Sequence, residues 1–226
     1  MEWGLHGRIT LGGALLADAS LRLGTGFTVI MGPSGSGKST LLRLLAGLPV
    51  AAGFDGSVSR PDRVGWMAQD PALQPRLSVG RNVGLMRALA GQSRDRKGEA
   101  ALLAAVGLEG FTDRRTATLS GGQMARVALA RVLMQDAPLV LLDEPFSALD
   151  PDTRRRVQDL TLSCLAGRTV LMVTHDGAEA VRMADRLLVL RDRALVEVAL
   201  AAPKPPQGAA GGVEAAVSGM AKGDVA

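Results

Sequence analysis

Tyrosine is absent from this 226-residue chain, and four phenylalanines and two tryptophans are its only aromatic residues. The hydrophobic fraction of 47% therefore rests on Leu, Val and Ala, which is enough for a sizeable core. A single cysteine, Cys164, excludes an internal disulfide and fits a reducing compartment. No uninterrupted apolar run reaches the roughly 20 residues that a membrane-spanning helix needs. The opening MEWGLHGRIT has no signal-peptide core. These absences predict a soluble chain, for which any role at a membrane requires a partner. The net charge of +4 and the pI near 10.0 come from scattered basic residues. That balance permits contact with nucleic acid or an anionic surface without requiring it. Lysine is scarce as well, occurring only at 38, 97, 204 and 222 among 26 basic residues.

One of those lysines lies in MGPSGSGKST, Met31–Thr40, directly after the apolar run Phe27-Thr28-Val29-Ile30. Gly32, Gly37, Lys38 and Ser39 satisfy the spacing G-x-x-x-x-G-K-[ST]. Phe27–Met31 reads as a buried strand and Thr40–Gly47 as a helix, so the glycine-rich loop joins a strand to a helix start. Glycines let the backbone curl around an anion, and the helix start adds N–H groups and partial positive charge. Lys38 can reach terminal phosphates as a point charge, and the Ser39 hydroxyl suits Mg²⁺. The loop is built to hold a nucleoside triphosphate.

Further along, Ala19–Leu23, 63–68, Ala137–Leu142, Arg168–Val173, Leu187–Leu190 and Ala194–Ala199 read as strands. Residues 78–106 read as helix in two pieces, broken near Gly91-Gln92-Ser93. Helices also follow from Ser120 to about Gln135, at Pro151–Leu165 and at Asp176–Ala184. Strands alternating with helices predict a mostly parallel sheet covered on both faces. The helical stretch from about 70 to 135 interrupts that alternation, as an inserted subdomain would. The main domain is expected over 1–202, followed by a flexible Pro/Gly/Ala-rich tail over 203–226.

Two further stretches carry chemistry. Leu139–Leu142 ends in Asp143 and Glu144, and ligands of open α/β sheets bind at such carboxyl edges. Asp143 is placed to serve Mg²⁺, and Glu144 to orient an attacking water. A plain strand end with a helix-capping acid is the alternative. Leu119-Ser120-Gly121-Gly122-Gln123 is either an ordinary capped helix or a second anion-binding helix start. If it is the latter, the chain binds two anions, or two chains share them.

Taken together, these motifs resemble the nucleotide-binding subunits of ABC transporters over about residues 5–200. GPSGSGKST at 32–40, comprising Gly32, Pro33, Ser34, Gly35, Ser36, Gly37, Lys38, Ser39 and Thr40, matches the Walker A loop. LSGGQ at 119–123 matches the signature motif, LVLLDEP at 139–145 the Walker B strand, and SALD at 147–150 the D-loop. Gln69 matches the Q-loop glutamine and His175 the switch histidine. The resemblance implies a P-loop NTPase fold of α/β class, with a RecA-like core, an antiparallel N-terminal β subdomain and an inserted α-helical subdomain. It implies ATP with Mg²⁺, the metal being held by Ser39, Gln69 and Asp143. It implies Glu144 as base and His175 on the γ-phosphate. Ser120, Gly121, Gly122 and Gln123 would contact ATP bound by a second copy packed head to tail, and Asp150 would hold that interface.

Two positions depart from the family pattern. Leu11 stands where an aromatic residue usually stacks on adenine, and Met124 follows LSGGQ where a polar residue is more usual. The form EPFSALD at 144–150 resembles small-solute importers, and the overall text, including Gly65–Leu73 before the helical subdomain and ATLSGGQMARVALARVL, looks most like ATPases assigned to thiamine-type uptake. The expected partners are a second copy, an integral membrane permease and a solute-binding protein, at the cytoplasmic face of the cell membrane. An exporter ATPase is the alternative. A non-transport ABC ATPase acting on nucleic acid usually carries coiled-coil insertions or duplicated cassettes, and this chain has neither. The permease groove is expected around 69–87, with Asp70, Pro71, Leu73, Leu77 and Val79. No C-terminal regulatory domain is expected.

Overall fold

A computed structural model describes residues 3–200. The expected tail over 203–226 lies outside the described residues. Nine strands form one mixed sheet: β1 (Trp3–Leu11), β2 (Ala14–Leu23), β3 (Gly26–Met31), β4 (Gly53–Ser59), β5 (Val64–Met67), β6 (Leu139–Asp143), β7 (Thr169–Val173), β8 (Arg186–Arg191) and β9 (Ala194–Val198). Their spatial order is β4-β1-β2-β9-β8-β3-β7-β6-β5. The α-helices are α1 (Lys38–Ala46), α2 (Val79–Val83), α3 (Leu85–Leu89), α4 (Arg96–Ala105), α5 (Gly121–Leu133), α6 (Pro151–Cys164) and α7 (Gly177–Met183).

The sheet has two characters, each following from its residues. β8, β3, β7 and β6 run parallel. Every residue of β6 and β7 is buried, as is Phe27–Ile30 of β3, so these strands are continuous apolar runs shielded on both faces. β1, β2 and β4 pair antiparallel. In β2, Ala17, Ala19, Leu21 and Leu23 are buried while Asp18, Ser20 and Arg22 are exposed, the alternation of a strand with one wet face. Leu41, Leu42 and Leu45 of α1 share one core cluster with Ile30, Leu139 and Leu171. Each fully buried leucine contributes roughly 1.5–3 kcal/mol relative to exposure.

The described residues divide into two compact units. One comprises the chain up to Trp66, Ala137–Glu144, and the part from Gly167 on. The other comprises Met67–Asp136 together with Pro145–Ala166. In the second unit α2, α4 and α5 pack on one another, burying Val79, Val83, Leu102, Leu103 and Val127.

The α/β class and the mixed sheet agree with the sequence expectation. β1 and β4 were not individually marked out by the sequence, and β2 extends further towards the N-terminus than Ala19–Leu23. The helical stretch at 78–106 holds three helices rather than two, because the chain also breaks at Gly84.

The parallel register brings three strand ends level. Ile30 of β3 and Asp143 of β6 both lie opposite Val173 of β7. The loops leaving these three ends therefore open at one edge of the sheet.

Candidate active site

The loop after β3 wraps around its own lysine. Lys38 is only 6% exposed, and its Nζ donates to the carbonyl oxygens of Gly32 and Pro33, both at 2.8 Å. Burial pulls its pKa below the ordinary lysine value, while the charges of Glu144 and Asp143 act in the opposite direction. Gly37 caps α1 at φ 102°, a conformation that side chains avoid. A Cβ there would also lie 3.0 Å from the side chain of Leu16 of β2, a tight approach to which that leucine would have to yield. Ser36 Oγ is buried and has no hydrogen-bond partner.

Asp143, the last residue of β6, is 4% exposed. Burial raises its pKa, and a hydrogen bond from the Ser39 side chain works against that rise. Its Oδ1 is buried and unpartnered. A buried carboxylate oxygen without a donor is costly unless something outside the protein completes it. With the Ser39 hydroxyl beside it, the pair suits a hard cation that draws its remaining oxygens from phosphate and water. No group of three or more His, Cys, Asp or Glu among the described residues could hold a metal ion by itself.

Glu144 follows with φ 47°, a left-handed conformation costing on the order of 1–3 kcal/mol for a residue with a side chain. Its N–H donates to Val173 O at 2.9 Å, which ties the turn to the end of β7. Its Oε1 lies 3.0 Å from Nδ1 of His175, which can donate to it. The carboxylate is 16% exposed and the imidazole 61%, so the pair stands at the rim of the sheet edge with the histidine outermost. His175 is itself positioned from both sides. Thr174 N–H donates to Ile30 O, and Asp176 caps α7 through the N–H groups of Ala178 and Glu179.

Lys38, Ser39, Asp143, Glu144 and His175 thus meet in one unit, on the loops after β3, β6 and β7. Pro33, Ser34 and Gly35 are exposed at the tip of the glycine loop, and Thr40 lies in α1. The other candidates lie in the second unit. Gln69 is exposed, two residues after β5. Ser120 caps α5 through a closed box: Gln123 N–H donates to Ser120 Oγ, and Ser120 N–H donates to Gln123 Oε1 at 2.9 Å. Gly121 is exposed, with open space beside it. Gly122 has another role, since a Cβ there would sit 2.8 Å from the carbonyl oxygen of Ala148. Glycine is what lets the helix start approach that backbone. Asp150 caps α6 by accepting from Thr153 N–H at 3.0 Å, and this bond lowers its pKa.

Sequence reasoning passed over Leu16 beneath Gly37, and gave no role to Asn82 or to the main-chain bonds of Arg131. For Arg131 a signal was present: a cation within the otherwise apolar run Ala125–Leu133, broken elsewhere only by Arg126. Of the residues expected at the groove, Val79 is fully buried core. Leu77 instead lines a largely apolar cavity of about 260 Å³ with Arg81, Gly84, Leu85, Ala88 and the ion-paired Arg94 and Glu99.

The family model described as ABC transporter matches residues 16–147. The chain is 50% identical over 194 residues to the aliphatic sulfonates import ATP-binding protein SsuB 1 of Nocardia farcinica, covering 83% of this chain and 76% of that one. It is 46% identical over 187 residues to a protein with the same import description from Pseudomonas syringae, covering 80% and 78%. Among solved structures it resembles a dimeric ATP-binding cassette in a post-hydrolysis state bound to ADP and Pi. That match has a TM-score of 0.72 and 29% identity, and covers 89% of this chain and all of the other.

Proposed function

Because the chain belongs to the ABC transporter family of ATP-hydrolysing subunits, we propose that it closes head to tail on a second copy around ATP and so drives import of a small solute through a separate permease. The observation that carries this reading is the Glu144–His175 pair, set beside Lys38 and Asp143 at one sheet edge. The loop N–H groups and Lys38 hold the phosphates. Ser39 and Asp143 would hold Mg²⁺, which when bound neutralises phosphate charge. Glu144 orients and deprotonates the attacking water, and His175 fixes that carboxylate while reaching the γ-phosphate. Ser120, Gly121, Gly122 and Gln123 face the nucleotide of the second copy, with Asp150 at the interface. No helix among the described residues is long and apolar enough to cross a membrane. The proposed place of the subunit, at the cytoplasmic face beside its permease, rests on the import ATP-binding relatives.

For cargo, the relatives described as aliphatic sulfonate importers favour a small organosulfonate over a thiamine-like compound. The test is capture of the tagged protein from detergent-solubilised membranes, followed by identification of its partners. A permease with a solute-binding protein that takes alkanesulfonates supports the reading. A binding protein selective for thiamine reassigns the cargo, and a permease with no binding protein favours export.

The cavity at Leu77 is the proposed seat of a permease helix, with Leu85 and Ala88 supplying apolar walls. Leu77→Asp places a charge in that lining and is expected to lower permease capture about tenfold, leaving ATP affinity of the isolated subunit unchanged. Capture at the parent level would remove this cavity from the interface.

At Leu11, 52% exposed at the end of β1, apolar contact replaces ring stacking on the base. Leu11→Tyr is expected to tighten ATP binding about three- to tenfold, near the ~1 kcal/mol scale of an aromatic pair. A titration with ATP and GTP checks both affinity and base preference.

A further inference from the structure

Between Gln69 and α2 the chain runs without regular structure, yet it is fastened at both ends. At the near end, Arg131 of α5 donates from Nη2 to Pro71 O at 2.9 Å and from Nη1 to Ala72 O at 3.2 Å. Burial lowers the pKa of this guanidinium, a cost accepted for two main-chain bonds. The carbonyls it grips belong to a strained turn. Ala72 has φ 43°, and its N–H donates to Asp70 Oδ1 at 3.2 Å. At the far end, the fully buried Asn82 accepts from Gln74 N–H at 2.7 Å. Its amide nitrogen donates towards the carbonyls of Gln74, Leu77 and Ser78. Leu77, which lines the cavity described above, sits inside this second clasp.

We propose that Arg131 is a positioning residue, a tie through which the Gln69–Ser78 segment and α5 move as one piece, so that nucleotide state at Ser120 is felt at the Leu77 cavity. This rests on the reading that a second copy's ATP meets the start of α5. Arg131 lies about 15 Å along α5 from Gly121, at 1.5 Å per residue. A stiff helix carries displacement over that length, and the two-pronged guanidinium passes it directly to the backbone at the near end of the loop. By reciprocity, a helix seated in the cavity biases the position of Ser120 by the same coupling.

The test uses the full chain carrying Glu144→Gln, with Cys164→Ser and Ala88→Cys labelled by an environment-sensitive fluorophore. ATP-dependent dimerisation is read by size exclusion, and the groove by emission. In the Arg131 parent, Mg-ATP should give dimer and an emission change. In Arg131→Gln, dimer affinity should stay within about threefold while the emission change falls at least fivefold. Arg131→Lys, with one amine in place of the fork, should respond at an intermediate level. A full emission change in Arg131→Gln dimers overturns the proposal, as does an unresponsive parent dimer. If Arg131→Gln fails to fold, Arg131→Lys decides: a reduced response supports the tie and an undiminished one overturns it. If the parent forms no dimer with ATP, the underlying reading falls and the tie falls with it. A role confined to stability would lower the melting temperature of the variants and leave the emission change of their dimers intact.

Discussion

Glu144→Gln is expected to lower the maximal rate of ATP hydrolysis by about 10²–10³-fold, roughly 3–4 kcal/mol of transition-state stabilisation. The substitution is nearly isosteric, so the backbone at φ 47° and the bond from Glu144 N–H to Val173 O are retained. A glutamine carbonyl still accepts from His175 Nδ1 at the position where Oε1 now lies 3.0 Å away. What disappears is the capacity to take a proton from water and the negative charge that orients it. The phosphate cradle is separate. Lys38 keeps its bonds to Gly32 and Pro33, and Asp143 keeps its contact with Ser39. Binding should therefore survive, and with hydrolysis blocked the ATP-bound dimer should accumulate on size exclusion. Single-turnover hydrolysis and dimer fraction are the two readouts. A rate within tenfold of the parent would move the base to another group.

How far this site could be read in advance depended on where its parts lie along the chain. The glycine loop is contiguous, so its spacing alone placed Gly32 to Thr40 between a strand and a helix. Asp143 and Glu144 were legible as acids ending an apolar strand. The pairing of Glu144 with His175 was not, because it depends on Asp143 lying opposite Val173 across β6 and β7, and register is a tertiary property. β1 and β4 escaped notice for a local reason. GFDGSVS carries two glycines and an aspartate, and Gly4 and Gly7 interrupt the alternation of β1. Arg131 was visible as a cation in an apolar helix, but its partners are main-chain carbonyls that no side-chain pattern announces. The cargo is illegible for a different reason: in the proposed arrangement the solute is contacted by other subunits.

The scarcity of lysine makes the second test a sharp one. Arginine meets most of this chain's cationic needs, and lysine occurs at only four positions, one of them 38. If charge alone mattered in the phosphate loop, Lys38→Arg would be nearly silent. The geometry argues otherwise. Nζ is a compact group coordinated by two carbonyls at 2.8 Å in a site only 6% exposed. A planar guanidinium is larger, spreads its donors into a fork and cannot sit in the same curl of backbone. Lys38→Ala removes the charge and also strips Gly32 and Pro33 carbonyls of their donor, leaving oxygen dipoles facing the phosphates. Both variants are therefore expected to weaken ATP binding at least about 30-fold, near 2 kcal/mol, with Lys38→Arg recovering no more than about threefold over Lys38→Ala. Titration of a fluorescent ATP analogue measures this, and thermal melting without nucleotide confirms that each variant is folded. If Lys38→Arg binds within threefold of the parent, the loop reads charge and not shape. If only Lys38→Ala is weak, the two carbonyls accept either cation, and the curl of the loop around the lysine is a consequence of its charge.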